Sequence, residues 1–157
     1  MSRAHSDSRF ITREAEWSDN PDMKQWLRDE VFVGDVLNFP SGTSDLGDVQ
    51  ADRDPSTDPD VVADLYNHPF GEQSFDTVYC DPPYSFYGGD QFNFVNPLWD
   101  IARKRLVFQS NRVRIHLKHS EKKWFVNEAV DRGKAVVLFQ AFERPDAKLD
   151  EFGGGRR

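Results

Sequence analysis

The chain has 157 residues, of which 38% are hydrophobic and 30% charged, and its formal net charge is −7. This length suits one domain with a buried core, and thirteen Phe and four Trp exclude a wholly disordered chain. No apolar run approaches the ~20 residues that span a bilayer. The N-terminus lacks the apolar segment of a signal peptide, and Cys80 has no disulfide partner. We therefore expect a single cytoplasmic domain over residues 1–157.

Charge is distributed unevenly along the chain. Residues 1–100 carry 20 acidic and 6 basic side chains, whereas residues 101–157 carry 14 basic and 7 acidic ones. Only the second part is typical of a surface that faces a polyanion. The acids comprise 19 Asp and 8 Glu and the bases 13 Arg and 7 Lys, a bias that salt-adapted proteins often show. A halophilic source is one explanation and compositional drift is the other.

The first half of the chain predicts few regular elements. Residues 1–12 are polar and expected to be mobile. Pro21 predicts the start of a helix whose apolar stripe is Met23, Trp26 and Leu27. The remaining predictions are a strand at Val31-Phe32-Val33 ending at Gly34-Asp35, a surface insertion over about 40–59 rich in Asp, Ser and Pro, and a short helix at 61–66.

The second half predicts alternating strands and helices. The strands are 75–80, 106–108, 113–117 and 135–139, and the helices are 97–104 and 120–132, with a flexible tail at about 150–157. This alternation predicts an α/β fold with a largely parallel, Rossmann-like sheet and helices on both faces.

The clearest chemical signal is Asp81-Pro82-Pro83-Tyr84, directly after the predicted strand 75–80. In an open α/β sheet, ligands bind beyond the carboxyl ends of the strands. An exocyclic base amine is a poor nucleophile, and Asp81 with the Pro82 carbonyl can accept its two N–H groups. Consecutive prolines fix the backbone, and Tyr84 offers a face on which an extruded base can stack.

These residues resemble the signature of S-adenosylmethionine-dependent amino-methyltransferases that act on adenine N6 or cytosine N4. The fuller run from Ser74 to Tyr84 looks like that family's strand and motif, and Val33-Gly34-Asp35-Val36-Leu37 looks like its upstream cofactor element. Pro82-Pro83-Tyr84-Ser85 is also similar to compact phage-type adenine methyltransferases. The resemblance implies a class I methyltransferase fold, DNA methylation on adenine N6, catalytic residues Asp81 to Tyr84, and S-adenosylmethionine contacts at Gly34 and Asp35.

One departure concerns the cofactor loop. The family carries a Phe-x-Gly-x-Gly loop after its first strand, and nothing before Gly34 supplies one. The glycine cluster at Phe152 to Gly155 is interpreted as part of the tail. Either the cofactor site is built unusually, with Phe10 to Glu16 as an early strand, or it is degraded.

A basic stretch follows the motif, with one acid, Glu121, among its charges. Because this stretch follows a motif suited to handling a base, it predicts contacts to a nucleic-acid backbone. We expect DNA as the partner in preference to RNA. The predicted contacts are Arg103, Lys104, Arg105, Arg112, Arg114, Lys118, Lys122 and Lys123.

Other chemistry is weaker. Cys80 precedes the motif on a predicted buried strand, which favours a structural role over a nucleophilic one. His116 and His119 lack partners at metal-site spacing, so no metal is expected. Two alternatives to a DNA methyltransferase stay open: a non-catalytic nucleic-acid-binding relative or incomplete subunit, and a methyltransferase for RNA guanine N2 or a protein amide. A homo-oligomer or a partner subunit is compatible with either.

Overall fold

A computed structural model of the protein describes residues 10–11, 21–80, 94–109, 120–129 and 135–145. The fold is α/β with a mixed sheet. The strands are β1 (Phe10–Ile11), β2 (Val36–Asn38), β3 (Val49–Asp52), β4 (Val61–Val62), β5 (Phe75–Cys80), β6 (Ala102–Gln109), β7 (Glu121–Ala129) and β8 (Ala135–Glu143). The helices are α1 (Pro21–Trp26), which continues as a π-helical turn (Leu27–Val31), a 3₁₀ turn (Pro55–Thr57) and α2 (Val95–Ile101).

The strands lie in the order β1-β7-β8-β6-β5-β2-β3-β4. Strands β4, β3, β2, β5 and β6 are mutually parallel. Strand β8 runs antiparallel between β6 and β7. Numbered from β2 along the chain, the parallel strands have the order 3-2-1-4-5, which is the order of the doubly wound dinucleotide-binding sheet up to its fifth strand.

The buried side chains form two clusters. Alternate residues of β5 divide between them: Val78 and Cys80 join one cluster, and Tyr79 joins the other. Because successive side chains of a strand point to opposite faces, each cluster covers one face of the sheet. Residues of α2 pack in the first cluster, and Met23, Trp26 and Leu27 from the first helical segment pack in the second.

The predicted start of the first helix is confirmed, since α1 begins at Pro21 and its apolar stripe is buried. The predicted strand 75–80 matches β5, and Cys80 is buried in it. The strand expected at 106–108 is the centre of β6. The last predicted strand extends four residues further, to Glu143.

Several predicted elements are wrong. No strand forms at 31–33: Val31 ends the π-helical turn, and residues 32–33 follow it. The first strand in the centre of the sheet is instead β2. The expected surface insertion contributes β3, whose Ala51 is fully buried, and residues 61–62 form β4 in place of a helix. A helix was expected at 120–132, but residues 121–129 form β7, which pairs with β8 over nine residues. The helix predicted at 97–104 ends at Ile101, where β6 begins.

Other predictions lie outside the described residues. They are the mobility expected of residues 1–9 and 12, the strand expected at 113–117 and the flexible tail expected at about 150–157. Of the early strand considered at Phe10 to Glu16, Phe10 and Ile11 form β1, which pairs with β7 at the far edge of the sheet, and residues 12–16 lie outside the described ranges. Within the described ranges, no helix is long and apolar enough to cross a membrane.

Candidate functional site at the switch point of the sheet

The carboxyl ends of the parallel strands share one edge of the sheet, which we call the carboxyl edge. At a switch point, the chain leaves two neighbouring strands in opposite directions, which opens a crevice where ligands bind. In the order found here, the switch point lies between β2 and β5. The crevice therefore opens beyond Asn38 on one side and beyond Cys80 on the other.

Backbone hydrogen bonds show how the chain leaves β2. Phe39 N donates to Tyr79 O on β5 at 3.0 Å, so the two strands remain paired to the edge. Two residues later, Ser41 N donates to Ala51 O on β3 at 2.8 Å. The chain has thus turned away from β5, and the loop 41–44, closed by Ser44 N donating to Ser41 O, lies toward β3.

Asp52, the last residue of β3, is a buried carboxylate at this edge, 9% exposed. Its Oδ2 accepts from Gly42 N at 2.7 Å, and its Oδ1 accepts from Asp54 N at 3.0 Å. Gly42 has φ +55°, and a Cβ there would meet nothing within 4 Å. The left-handed backbone of Gly42 serves the turn that carries its N–H to Asp52, and it leaves the space above the loop open.

Asn38 is a buried amide at the carboxyl end of β2, 1% exposed. Its Nδ2 donates to Ser44 Oγ at 3.3 Å, and the same Oγ accepts from Leu46 N. The side chain of Asn38 therefore ties the strand end to the loop 41–44. Together with the Gly42–Asp52 bond, this contact fixes the loop from both neighbouring strands.

The next connection along the edge is also held by carboxylates. Asp54 Oδ1 accepts from both the backbone N–H and the hydroxyl of Ser56, and these hydrogen bonds lower the pKa of Asp54. Ala63 N donates to Asp52 O at 3.0 Å, which continues the β3–β4 pairing to the edge. Asp64 Oδ1 then accepts from Tyr66 N at 2.8 Å.

The charge at this side of the edge is negative. Asp52 and Asp54 lie at the end of β3 and Asp64 follows β4, whereas Asp48 accepts from Val36 N at the amino end of β2. No α-helix begins within 39–64, a range that the structure describes completely, and the N-terminus of the 3₁₀ turn Pro55–Thr57 is already capped by Asp54. Carboxylate acceptors suit ligands with hydroxyl, amine or cationic groups and repel phosphate.

The predicted catalytic motif follows this edge in sequence. Asp81 comes directly after Cys80, the last residue of β5. Residues 81–93 lie outside the described part, so the placement of Asp81, Pro82, Pro83 and Tyr84 is not described beyond this attachment point.

Gly34 and Asp35 occupy the opposite edge. Both precede β2, so the expected position of Asp35 at the carboxyl end of a strand is wrong. Asp35 N donates to Asp76 Oδ2 at 3.0 Å. Gly34 has φ +60°, and a Cβ there would clash with the Asp76 carboxylate. These contacts give Gly34 and Asp35 a structural role at the amino ends of β2 and β5, roughly 16 Å along a six-residue strand from the crevice.

The predicted phosphate contacts at the start of β6 also lie toward the amino edge. Arg103 makes an ion pair with Asp76 while remaining 52% exposed. Arg105 is 7% exposed and pairs with Glu143, with its Nε 2.9 Å from Glu143 Oε2, and its guanidinium also donates to Val31 O. Arg105 is thus a core ion pair, and its predicted contact to a phosphate is wrong. Lys104 is half-buried beside them.

The rest of the basic stretch is separated from these residues by the sheet order. Lys122 and Lys123 lie near the amino end of β7, and β8 lies between β7 and β6. Residues Arg112, Arg114 and Lys118 lie outside the described ranges. The described members therefore do not form one continuous surface with the crevice.

Arg144, near the end of β8, caps α2. Its Nε donates to Ala102 O at 2.8 Å and its Nη2 to Trp99 O at 2.6 Å. The guanidinium carbon lies 4.1 Å from the centroid of the Trp99 ring. A cation at a helix C-terminus stabilises the helix dipole, so this contact is structural.

Sequence reasoning missed Asn38, Gly42, Asp52 and Asp64. The available signal was weak: Val49-Gln50-Ala51 alternates before Asp52, and Val36-Leu37-Asn38 precedes a Pro-Ser-Gly turn. In the described part of the chain, no group of His, Cys, Asp and Glu is arranged to hold a metal ion.

Comparisons with known proteins identify no family. No protein-family model matches the chain, and no curated protein matches it. The assignment of function therefore depends on the fold, the crevice and the motif beside it.

Proposed function

We propose that this protein transfers a methyl group from S-adenosylmethionine to an exocyclic base amine, with adenine N6 in DNA as the substrate. One observation carries the proposal: the Asp81-Pro82-Pro83-Tyr84 motif starts directly after the carboxyl end of β5, and β5 borders the switch point. Ligands of doubly wound sheets bind there. The motif's chemistry and the expected ligand position therefore coincide.

The proposed fold is the Rossmann-like sheet of class I methyltransferases with helices on both faces. The 3-2-1-4-5 order of the parallel strands supports it. The packing of α1 and α2 in different hydrophobic clusters supports coverage of both faces.

The residues at the crevice fit S-adenosylmethionine better than a phosphorylated nucleotide. Asp52 keeps lone pairs on both carboxylate oxygens after accepting from Gly42 and Asp54, and a ribose diol can donate to them. The neighbouring acids favour a cationic sulfonium and amine and disfavour phosphate. The loop expected to be absent has a counterpart here, because the first central strand is β2 and Gly42 lies in the loop that follows it.

The chain's own residues orient the amine. In this proposal Asp81 and the Pro82 carbonyl each accept one amine N–H, which localises the nitrogen lone pair, and Tyr84 stacks on the extruded base. The bound sulfonium supplies the electrophilic methyl group. Water exclusion and alignment contribute the remaining catalysis.

The proposed nucleic-acid contacts exclude Arg105, whose guanidinium is buried with Glu143. Among the remaining predicted contacts, Arg112, Arg114 and Lys118 follow β6 in sequence and are proposed to contact the nucleic acid at the crevice. Arg103, Lys104, Lys122 and Lys123 lie toward the amino edge and are proposed to contact its backbone away from the crevice. The acidic residues after β3 and β4 repel a polyanion, which favours its approach from the β6 side of the crevice.

Calorimetric titration with S-adenosylmethionine tests the cofactor assignment. We expect saturable binding at low or molar salt, since the fold's stability can depend on ionic strength in an Asp-rich chain. Binding of nucleic acid without saturable cofactor binding at either salt concentration would identify a binding module or an incomplete subunit instead.

Variants of Tyr84 test the base contact. Tyr84→Phe keeps the ring and should retain substantial transfer, whereas Tyr84→Ala should lose about 1–3 kcal/mol of stacking. Equal losses in the two variants would assign the role to the hydroxyl group and contradict stacking.

A further inference from the structure

The connection that carries the motif after β5 is attached to the core beside one phenylalanine ring at both of its ends. It leaves β5 at Cys80, which lies opposite Phe108 in the parallel ladder of β5 and β6. The described chain resumes at Phe94, whose ring meets the Phe108 ring edge-on with the centroids 5.8 Å apart. The residues that flank 81–93 are therefore both fixed next to Phe108, near the carboxyl end of β6.

The position of Phe94 in its helix indicates that it serves packing. Phe94 is the N-cap residue of α2, a position where Ser, Thr, Asp or Asn usually accepts a backbone N–H, and a phenylalanine side chain cannot do so. Its ring lies instead in the hydrophobic cluster that contains Cys80, Phe108 and Leu98. Edge-to-face aromatic pairs attract each other beyond the burial of their surface. A core anchor thus occupies the place of a helix cap.

We propose that Phe94 is a positioning residue for the motif after β5. By fixing the end of residues 81–93 against Phe108, it limits the positions that the motif can take. Anchoring both ends of a connection removes conformations that a free segment would sample. A displacement of about 1 Å in reacting groups can lower a rate by about 100-fold. The anchoring itself is independent of the proposed function, whereas its effect on methyl transfer depends on that function.

Phe142 provides a matched control. Its ring also meets the Phe108 ring edge-on, with the centroids 6.1 Å apart, and it is 1% exposed where Phe94 is 3% exposed. Phe142 lies on β8, remote in sequence from residues 81–93. Phe94→Ala and Phe142→Ala therefore remove similar buried rings from one cluster, and only the first releases an end of the motif connection. Phe94→Leu and Phe142→Leu repeat the comparison with a smaller loss of volume if an alanine variant does not fold.

Steady-state methyl transfer measures the effect on the motif. We expect Phe94→Ala to lower kcat by about 10- to 100-fold, with the KM for S-adenosylmethionine and the kcat of Phe142→Ala both within about threefold of wild type. The urea midpoints of the two variants should fall by similar amounts. An equal loss of kcat in both variants would assign the effect to general packing and overturn the positioning role.

The thiol of Cys80 provides a second readout that requires no activity. Cys80 is the only cysteine of the chain, and it is fully buried where the motif connection begins. If Phe94 holds this end of the cluster closed, a thiol reagent should modify Cys80 about 5- to 10-fold faster in Phe94→Ala than in Phe142→Ala.

The two readouts separate this inference from the proposed function. Faster modification of Cys80 in Phe94→Ala, with no methyl transfer by wild type, would support the anchoring and contradict the proposed activity. Equal modification rates in Phe94→Ala and Phe142→Ala would overturn the anchoring, and with it the positioning role, even where wild type transfers methyl groups.

Discussion

The backbone N–H of Gly42 donates a hydrogen bond of 2.7 Å to Oδ2 of Asp52. This bond joins the loop after β2 to the end of β3 and fixes a carboxylate beside the switch point. Ligand-binding carboxylates benefit when their orientation is set before the ligand arrives, because less ordering is required on binding. The Gly42–Asp52 pair is thus the structural basis for assigning a nucleoside site to this crevice.

Substitution of Asp52 tests that site. Asp52→Ala should weaken S-adenosylhomocysteine binding by about 10- to 100-fold, since a hydrogen bond to a charged group contributes about 1.5–3 kcal/mol. Asp58→Asn is the control: Asp58 is an exposed acid near the same edge with φ 57°, a conformation that Asn tolerates. Equal affinities of the two variants, measured by calorimetry, would contradict a role of Asp52 in binding.

The two glycines with positive φ that flank β2 should respond differently to alanine. Gly34→Ala adds a Cβ against Asp76 and also strains φ, whereas Gly42→Ala strains φ alone. We expect Gly42→Ala to cost about 1–2 kcal/mol of unfolding free energy and Gly34→Ala to cost more. Urea denaturation measures both. A smaller loss for Gly34→Ala would contradict the close packing at the amino edge.

The buried pair of Arg105 and Glu143 separates a core role from nucleic-acid binding. Arg105→Met leaves Glu143 buried without its cation and should destabilise the fold by about 3–5 kcal/mol, whereas Arg105→Met combined with Glu143→Met should be less destabilising. Urea denaturation measures the unfolding free energies. If Arg105→Met kept wild-type stability and reduced only the salt dependence of DNA binding, that result would support the phosphate contact predicted from sequence and contradict the core role.

Asp45 provides a test in acid. The hydrogen bond and charge of Lys24, 2.8 Å away, lower the pKa of Asp45 in the folded chain. The ion pair therefore stabilises the fold above the pKa of Asp45 in the unfolded chain, about 3.9, and the contribution is lost as the pH falls through the lower folded pKa. The Asp45 side chain is 74% exposed, so the effect is at most about 0.5–1 kcal/mol.

Lys24→Met removes this contribution. The difference in urea midpoint between wild type and Lys24→Met should be present at pH 6 and shrink toward pH 2. A difference that is constant across this range would show that Lys24 stabilises the fold through packing and not through its charge.

Strand β5 was predictable because five of its six residues, all but Asp76, are β-favouring or apolar and Asp81-Pro82 follows it. Strands β2, β3 and β4 have three, four and two residues and stand among Asp, Gly and Pro, so their local sequence is that of a loop. Only pairing with their neighbours makes them strands. The proposed nucleoside site was missed for the same reason, since Asp52 gains its position from β3.

Other errors had tertiary causes. The segment Val31-Phe32-Val33 has side chains typical of a strand. Phe32 instead packs against Tyr79 with ring centroids 5.3 Å apart. Val33 N donates to the Thr77 hydroxyl, which itself donates to Val33 O. The basic run reads as one surface in sequence. The sheet separates it because β8 inserts between β6 and β7, and burial removes Arg105.

The most direct test of the central claim is methyl transfer itself. Wild-type protein is incubated with S-adenosylmethionine that carries an isotope-labelled methyl group and with duplex DNA of mixed sequence, and the digested nucleosides are analysed by mass spectrometry. We predict labelled N6-methyladenine with wild type and none above background with folded Asp81→Ala. Label on another base, or equal label with wild type and Asp81→Ala, would contradict the assignment of adenine N6 transfer to this motif, and no label in any nucleoside despite measured cofactor and DNA binding would contradict the proposed activity.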